Sequence, residues 1–94
     1  MKPKYQLIMT STFKRDLKKL KKRGYDLSLM NSVITKLQYG ETLDIKYKDH
    51  ALKGNWKGFR ECHIAPDWLL VYEIIENICV LSLVRTGSHS DLLE

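Results

Sequence analysis

Apolar residues at Phe13, Leu17 and Leu20 recur at three- and four-residue steps, with Lys14, Arg15, Lys18, Lys19, Lys21, Lys22 and Arg23 around them. That spacing turns one stripe of a helix toward a core and leaves the cations in water. Thr10-Ser11-Thr12 offers hydroxyl oxygens to the unpaired amides of a first helical turn, and Gly24 can leave the helix at its far end. A second stripe, Leu27, Met30, Val33, Ile34 and Leu37, follows the capping residue Asp26 and gives out near Tyr39-Gly40. The pattern predicts a helical hairpin.

The rest of the chain has strand texture. Tyr5 to Met9 predicts a short first strand; Lys57 to Ile64, Trp68 to Ile75 and Ile78 to Thr86 predict three more, joined by Ala65-Pro66-Asp67 and Glu76-Asn77. Connectors this short force antiparallel neighbours. Between hairpin and strands runs Glu41 to Gly54, polar and without periodicity, which predicts an exposed loop that carries function. The element order β-α-α-β-β-β gives an α+β fold, an N-terminal strand and helical hairpin packed on one face of an antiparallel sheet, with residues 1–94 as a single domain.

Charge and cysteine usage narrow the class. Sixteen basic and 11 acidic residues leave a formal charge of +5, which points to polyanions, RNA or DNA ahead of membrane. No apolar run approaches the roughly 18 residues of a membrane span, and Met1 to Tyr5 lacks a secretory signal, so a cytoplasmic protein is expected. Cys62 and Cys79 fall inside predicted strands and read as buried thiols rather than a disulfide scaffold.

Strand alternation locates candidate chemistry. Cys62 and Ile64 suit the helix-covered face, which turns Phe59, Glu61 and His63 to the open one. Asp67, across the Pro66 turn, is expected beside His63, where a carboxylate raises an imidazole's pKa. His50, in the loop, and His89, after the last strand, can reach the same end of the sheet, so all three histidines of the chain can converge. Imidazoles suit RNA cleavage, in which one group takes the 2′-hydroxyl proton and another protonates the leaving oxygen. Lys46, Lys48, Lys53, Lys57, Arg60 and Arg85 would stabilise charge on phosphate, and Trp68 would stack on a base. Each feature has a plainer account: a surface histidine, a Pro-Asp turn, tryptophans that pack, glycines that turn the chain. No thiolate–histidine spacing resembles a zinc site, and neither metal nor cofactor is expected.

The run from Lys48 to Trp68 carries more than local chemistry. Its pattern, K-D-H-x-L-x-G-x-W-K-G-aromatic-R-x-x-H-aliphatic-x-P-D-W, with Arg85-Thr86-Gly87-Ser88-His89 beyond it, resembles the YafQ branch of the RelE/ParE toxin superfamily. Similarity is densest from Lys46 to His89. The resemblance implies a RelE-like fold and a toxin of a type II toxin–antitoxin pair that enters the ribosomal A site and cleaves mRNA there. It carries catalytic positions over to His50, His63, Asp67 and His89 and a contributing position to Trp68. Among these we place His50 or Asp67 near the base, His63 on the phosphate and His89 as general acid. Four titratable groups so close titrate as a coupled set. Leu93 stands where close relatives carry a phenylalanine that contributes to the site, so base preference is expected to differ.

The implied partners are mRNA, the ribosome, met through the basic helix at 14–23, and a cognate antitoxin that covers the cleft with an acidic segment. Two other accounts use the same residues: a non-enzymatic toxin like the ParE branch, which binds DNA gyrase, and a basic RNA-binding module.

Overall fold

The computed structural model describes residues 2–92. Its elements are β1 (Gln6–Met9), α1 (Ser11–Lys22), α2 (Leu27–Gln38), β2 (His50–Ala51), β3 (Arg60–Ala65), β4 (Trp68–Ile75), β5 (Val80–Gly87) and a short α3 (His89–Leu92). The caps are those the sequence predicts: the Thr10 side chain accepts from the Phe13 amide at 3.0 Å and Asp26 from that of Ser28 at 3.1 Å. Gly24, at φ +79°, turns the chain out of α1.

Five strands form one sheet in the order β1-β5-β4-β3-β2, antiparallel throughout except that β1 lies parallel to β5. The helical hairpin covers one face, where Phe13, Leu20, Met30, Val33 and Leu37 meet Cys62, Leu70, Tyr72, Leu81 and Leu83. Every cation of α1 is exposed.

Beyond β1, the outer edge of β5 is satisfied by α1 instead of a strand. The Thr10 amide and hydroxyl donate to the carbonyls of Leu83 and Val84, and the Thr86 amide donates to the Asp16 carboxylate at 3.1 Å. Asp16 is buried on a helix otherwise crowded with cations, and it also accepts from Arg85 Nε at 2.8 Å. The sequence flagged it nowhere, although it falls on the apolar stripe between Phe13 and Leu20, where a carboxylate must find a partner.

Four expectations need correction. The 41–54 stretch is not all loop: His50–Ala51 pairs with Arg60 and Glu61, preceded by a 3-10 turn at Ile45–Tyr47. A second 3-10 turn, Gly54–Trp56, delays β3 to Arg60. A third, Glu76–Ile78, delays β5 to Val80. Cys79 therefore lies outside the strand, exposed, at φ 53°, whereas Cys62 is fully buried. Leu93 lies outside the described residues.

Candidate active site

Register gathers the candidate residues into two neighbouring rows on the open face. One row runs His50–Glu61–Val71–Arg85 across β2, β3, β4 and β5; the next runs His63–Leu69–Gly87, with His89 two residues beyond Gly87. Arg85 reaches this face through a β-bulge opposite the Val71–Tyr72 step. Simple alternation from the core residues Leu81 and Leu83 would have driven it under the helices.

His50 is held by its own backbone. Lys48, at φ 50° in the left-handed region, turns its carbonyl to within 2.7 Å of His50 Nδ1. A carbonyl only accepts, so Nδ1 carries the proton and a neutral ring keeps its bare nitrogen at Nε2, which faces Glu61 Oε1 at 3.7 Å. The preceding residue, Asp49, is the anchor: it accepts from the Tyr72 hydroxyl and, at 2.9 Å, from Arg60. Arg60 thus serves the loop from the covered side rather than the open face, which corrects its placement among the phosphate ligands.

Asp67 pairs with His89, not with His63. Its Oδ1 accepts from His89 Nδ1 at 2.5 Å and from the His89 backbone amide at 2.9 Å, and these two bonds hold its carboxyl below the usual carboxylate range. The expectation for His63 is overturned with it. Burial pushes the His63 imidazole below its ordinary pKa, helped by the charges of His89, Lys48 and His50 and opposed only by Glu61. His63 and His89 meet edge to face with centroids 5.6 Å apart. Tight turns bring a strand's neighbours together in sequence, but β5 runs past the β3–β4 turn and delivers His89 there instead.

α3 places His89. Asp91 accepts from the Ser88 amide at 2.9 Å and from Arg23, the last residue of the α1 region, at 2.7 and 3.2 Å. These bonds hold the Asp91 carboxyl far below its ordinary value.

Two grooves flank the histidines. One, of about 450 Å³, is lined by Leu29, Lys46, Tyr47, Lys48, His63 and Pro66 among others. The other, of about 110 Å³, is lined by Leu52, Trp56, Glu61, Val71, Arg85 and Leu92. Lys53 and Lys57 are exposed beside Trp56. Trp68 is in neither groove: 4% exposed, it donates its indole N–H to Thr86 Oγ1 at 2.9 Å and meets Tyr25 edge-on at 4.9 Å. It has no ring face to offer a base. Among the described residues, no three His, Cys, Asp or Glu side chains are placed to hold a metal ion.

A helical hairpin over a mostly antiparallel five-stranded sheet is the fold of RelE-like toxins. The family model described as bacterial toxin of type II toxin–antitoxin system, YafQ, matches residues 5–94, and the chain belongs to that family. The Escherichia coli protein described as mRNA interferase toxin YafQ is 38% identical over 82 residues, covering 85% of this chain and 86% of the relative. A metal-bound toxin from Helicobacter pylori superposes with a TM-score of 0.89 at 48% identity, over 95% of this chain and 99% of that one. YafQ in the E. coli DinJ–YafQ toxin–antitoxin complex gives 0.88 at 33% identity, over 97% and 99%.

Proposed function

We propose that this chain is an mRNA endoribonuclease, the toxin of a type II pair, acting in the ribosomal A site of the cytoplasm by acid–base chemistry. One observation carries the mechanism. His50 and His89 stand on the same face with Nδ1 occupied by an acceptor and Nε2 left for substrate.

In this arrangement His50 Nε2 takes the proton from a 2′-hydroxyl, and the oxygen attacks the adjacent phosphorus. The bond from phosphorus to the 5′-oxygen breaks as His89, protonated, gives its Nε2 proton to that oxygen. The products are a 2′,3′-cyclic phosphate and a free 5′-hydroxyl, with no water consumed. Asp67 acts through His89, fixing its tautomer and supplying a counter-charge while the ring is protonated, so it is a positioning residue rather than the base. His63, kept neutral by burial, donates a hydrogen bond to the phosphate. Lys46 and Lys48, in the larger groove, add positive charge beside the phosphate. The ribosome supplies the alignment of the RNA that so small a site lacks.

The relatives bound as DinJ–YafQ support a cognate antitoxin as partner. Electrostatics suits an acidic segment laid across the lysines.

Cleavage of mRNA on programmed ribosomes tests the proposal. Replacing the scissile 2′-hydroxyl by hydrogen should abolish cutting, and His89→Ala should lower kcat at least about 100-fold, the usual worth of a general acid. Cutting of the deoxy-substituted message would refute the chemistry. Undiminished growth arrest by a His63→Ala, His89→Ala double variant would point to a toxin that works by binding alone.

A further inference from the structure

The chain's two tryptophans have opposite fates. Trp68, in the strand, is core; Trp56 is 40% exposed. An exposed indole forgoes burial worth about 25 cal/mol per Å². Yet Trp56 is rigidly presented. It closes the 3-10 turn Gly54–Trp56, its amide bonds to the Lys53 carbonyl at 3.2 Å, and its carbonyl accepts from the Phe59 amide at 3.0 Å. Leu52 N–H donates to Phe59 O at 2.9 Å and shuts the base of the loop, while Phe59 props the indole edge-on, centroids 5.5 Å apart.

The groove below the ring has apolar walls, Leu52, Val71 and Leu92, and two polar residues, Glu61 and Arg85. Arg85 is committed to Asp16 at 2.8 and 3.3 Å. The Glu61 side chain accepts no hydrogen bond from the described residues; His50 Nε2 is 3.7 Å away. The free polar valence in the groove is therefore a carboxylate, which only accepts. It is continuous with the catalytic row, because Glu61 pairs in register with His50.

We propose that this groove seats one nucleobase of the RNA strand, next to the scissile phosphate, stacked on Trp56 and read at its edge by Glu61. The assignment rests on the ribonuclease reading and adds a base-recognition element to it. A flat apolar slot under an exposed indole suits the face of an unstacked base. Lys53 and Lys57, exposed on either side of Trp56 with side chains that make no hydrogen bond or ion pair among the described residues, suit the flanking phosphates. Edge chemistry sets the preference. Guanine presents two adjacent N–H donors that match both carboxylate oxygens; adenine and cytosine present one amino group. Uracil sets its single N–H between two carbonyls that repel a carboxylate.

Two measurements test it. In the first, wild type, Trp56→Ala and Trp56→Phe act on programmed ribosomes whose messages differ only in the base beside the cut. Trp56→Ala should raise KM about 10-fold, the worth of one base stack, with kcat little changed, and Trp56→Phe should recover most of the loss. Glu61→Gln should erase the ranking that puts guanine first and uracil last, since an amide both donates and accepts. In the second, guanosine 5′-monophosphate is titrated into the intact protein while indole fluorescence is followed. Quenching should be seen in wild type and be absent from Trp56→Phe, whose remaining tryptophan is buried. Wild-type kinetics and base ranking in Trp56→Ala, together with no quenching, would overturn the subsite and leave the nuclease intact. Quenching without any cleavage by wild type would keep the base seat and remove the nuclease.

Discussion

His63 illustrates how one side chain answers to all its neighbours. Its folded pKa lies below the unfolded value, near 6.5. Between those values the unfolded state binds the extra proton, so the stability this group confers is whole above about pH 6.5 and is lost as pH falls through the depressed folded value. Glu61 is the one neighbour that raises it, so Glu61→Gln should move the His63 midpoint further down, read by imidazole NMR across a pH series. An upward move would show that burial does not govern the ring. The thiols divide as sharply. Cys62 is fully buried with its pKa pushed up to about 12, and Cys79 is exposed. Alkylation of native protein should stop at one adduct, on Cys79, and reach the second only after denaturation. How far such residues can be recognised in a sequence depends on whether their strand discriminates between its faces. In β3, Cys62 and Ile64 alternate with Glu61 and His63, and the open face was readable. In β4, Trp68-Leu69-Leu70-Val71-Tyr72 is apolar on both faces, alternation says nothing, and Trp68, a stacking candidate by sequence, belongs to the core. Arg85 reaches the open face through a bulge that no alternation pattern announces.

At the scale of elements, the helices declared themselves through stripe, cap and glycine, and the structure places them where those signals end. The supports of the site did not, because they are contacts between segments distant in sequence. Tyr72 on β4 reaches Asp49 beside His50, and Arg23 after α1 reaches Asp91 in α3. β2 has two residues, too few for any period to register. Each support carries a prediction. Tyr72→Phe removes one donor from Asp49 and should cost about 1 to 2 kcal/mol in urea unfolding, with a fall in cleavage because the His50 strand loosens. Unchanged activity would separate Asp49 from the positioning of His50. Gly87 sits under Asp91, where an added Cβ would stand 2.9 Å from that side chain. Gly87→Ala should therefore displace α3 and His89, reducing kcat while leaving the helical circular dichroism of α1 and α2 intact.

At the scale of the whole molecule, the basic helix forms a charged surface of its own. The seven cations of α1 and its end, Lys14 to Arg23, are exposed on the hairpin. Only Arg23 among them is tied to the site, through Asp91. If that helix meets rRNA, Lys18→Ser with Lys22→Ser should flatten the salt dependence of ribosome binding by up to about 1.4 in log–log slope for two single-strand phosphate contacts, without a measurable change in fold. An unaltered slope would move the ribosome contact elsewhere.

β1 lies alongside β5 and beside no other strand, so its ladder bonds wait for the last strand of the sheet, although Lys4 and Tyr5 just before it already bond to the Gln38 carbonyl at the end of α2. His89 follows β5 immediately. The sheet therefore cannot close, nor His89 join the histidine row, until β5, the last strand, has been made.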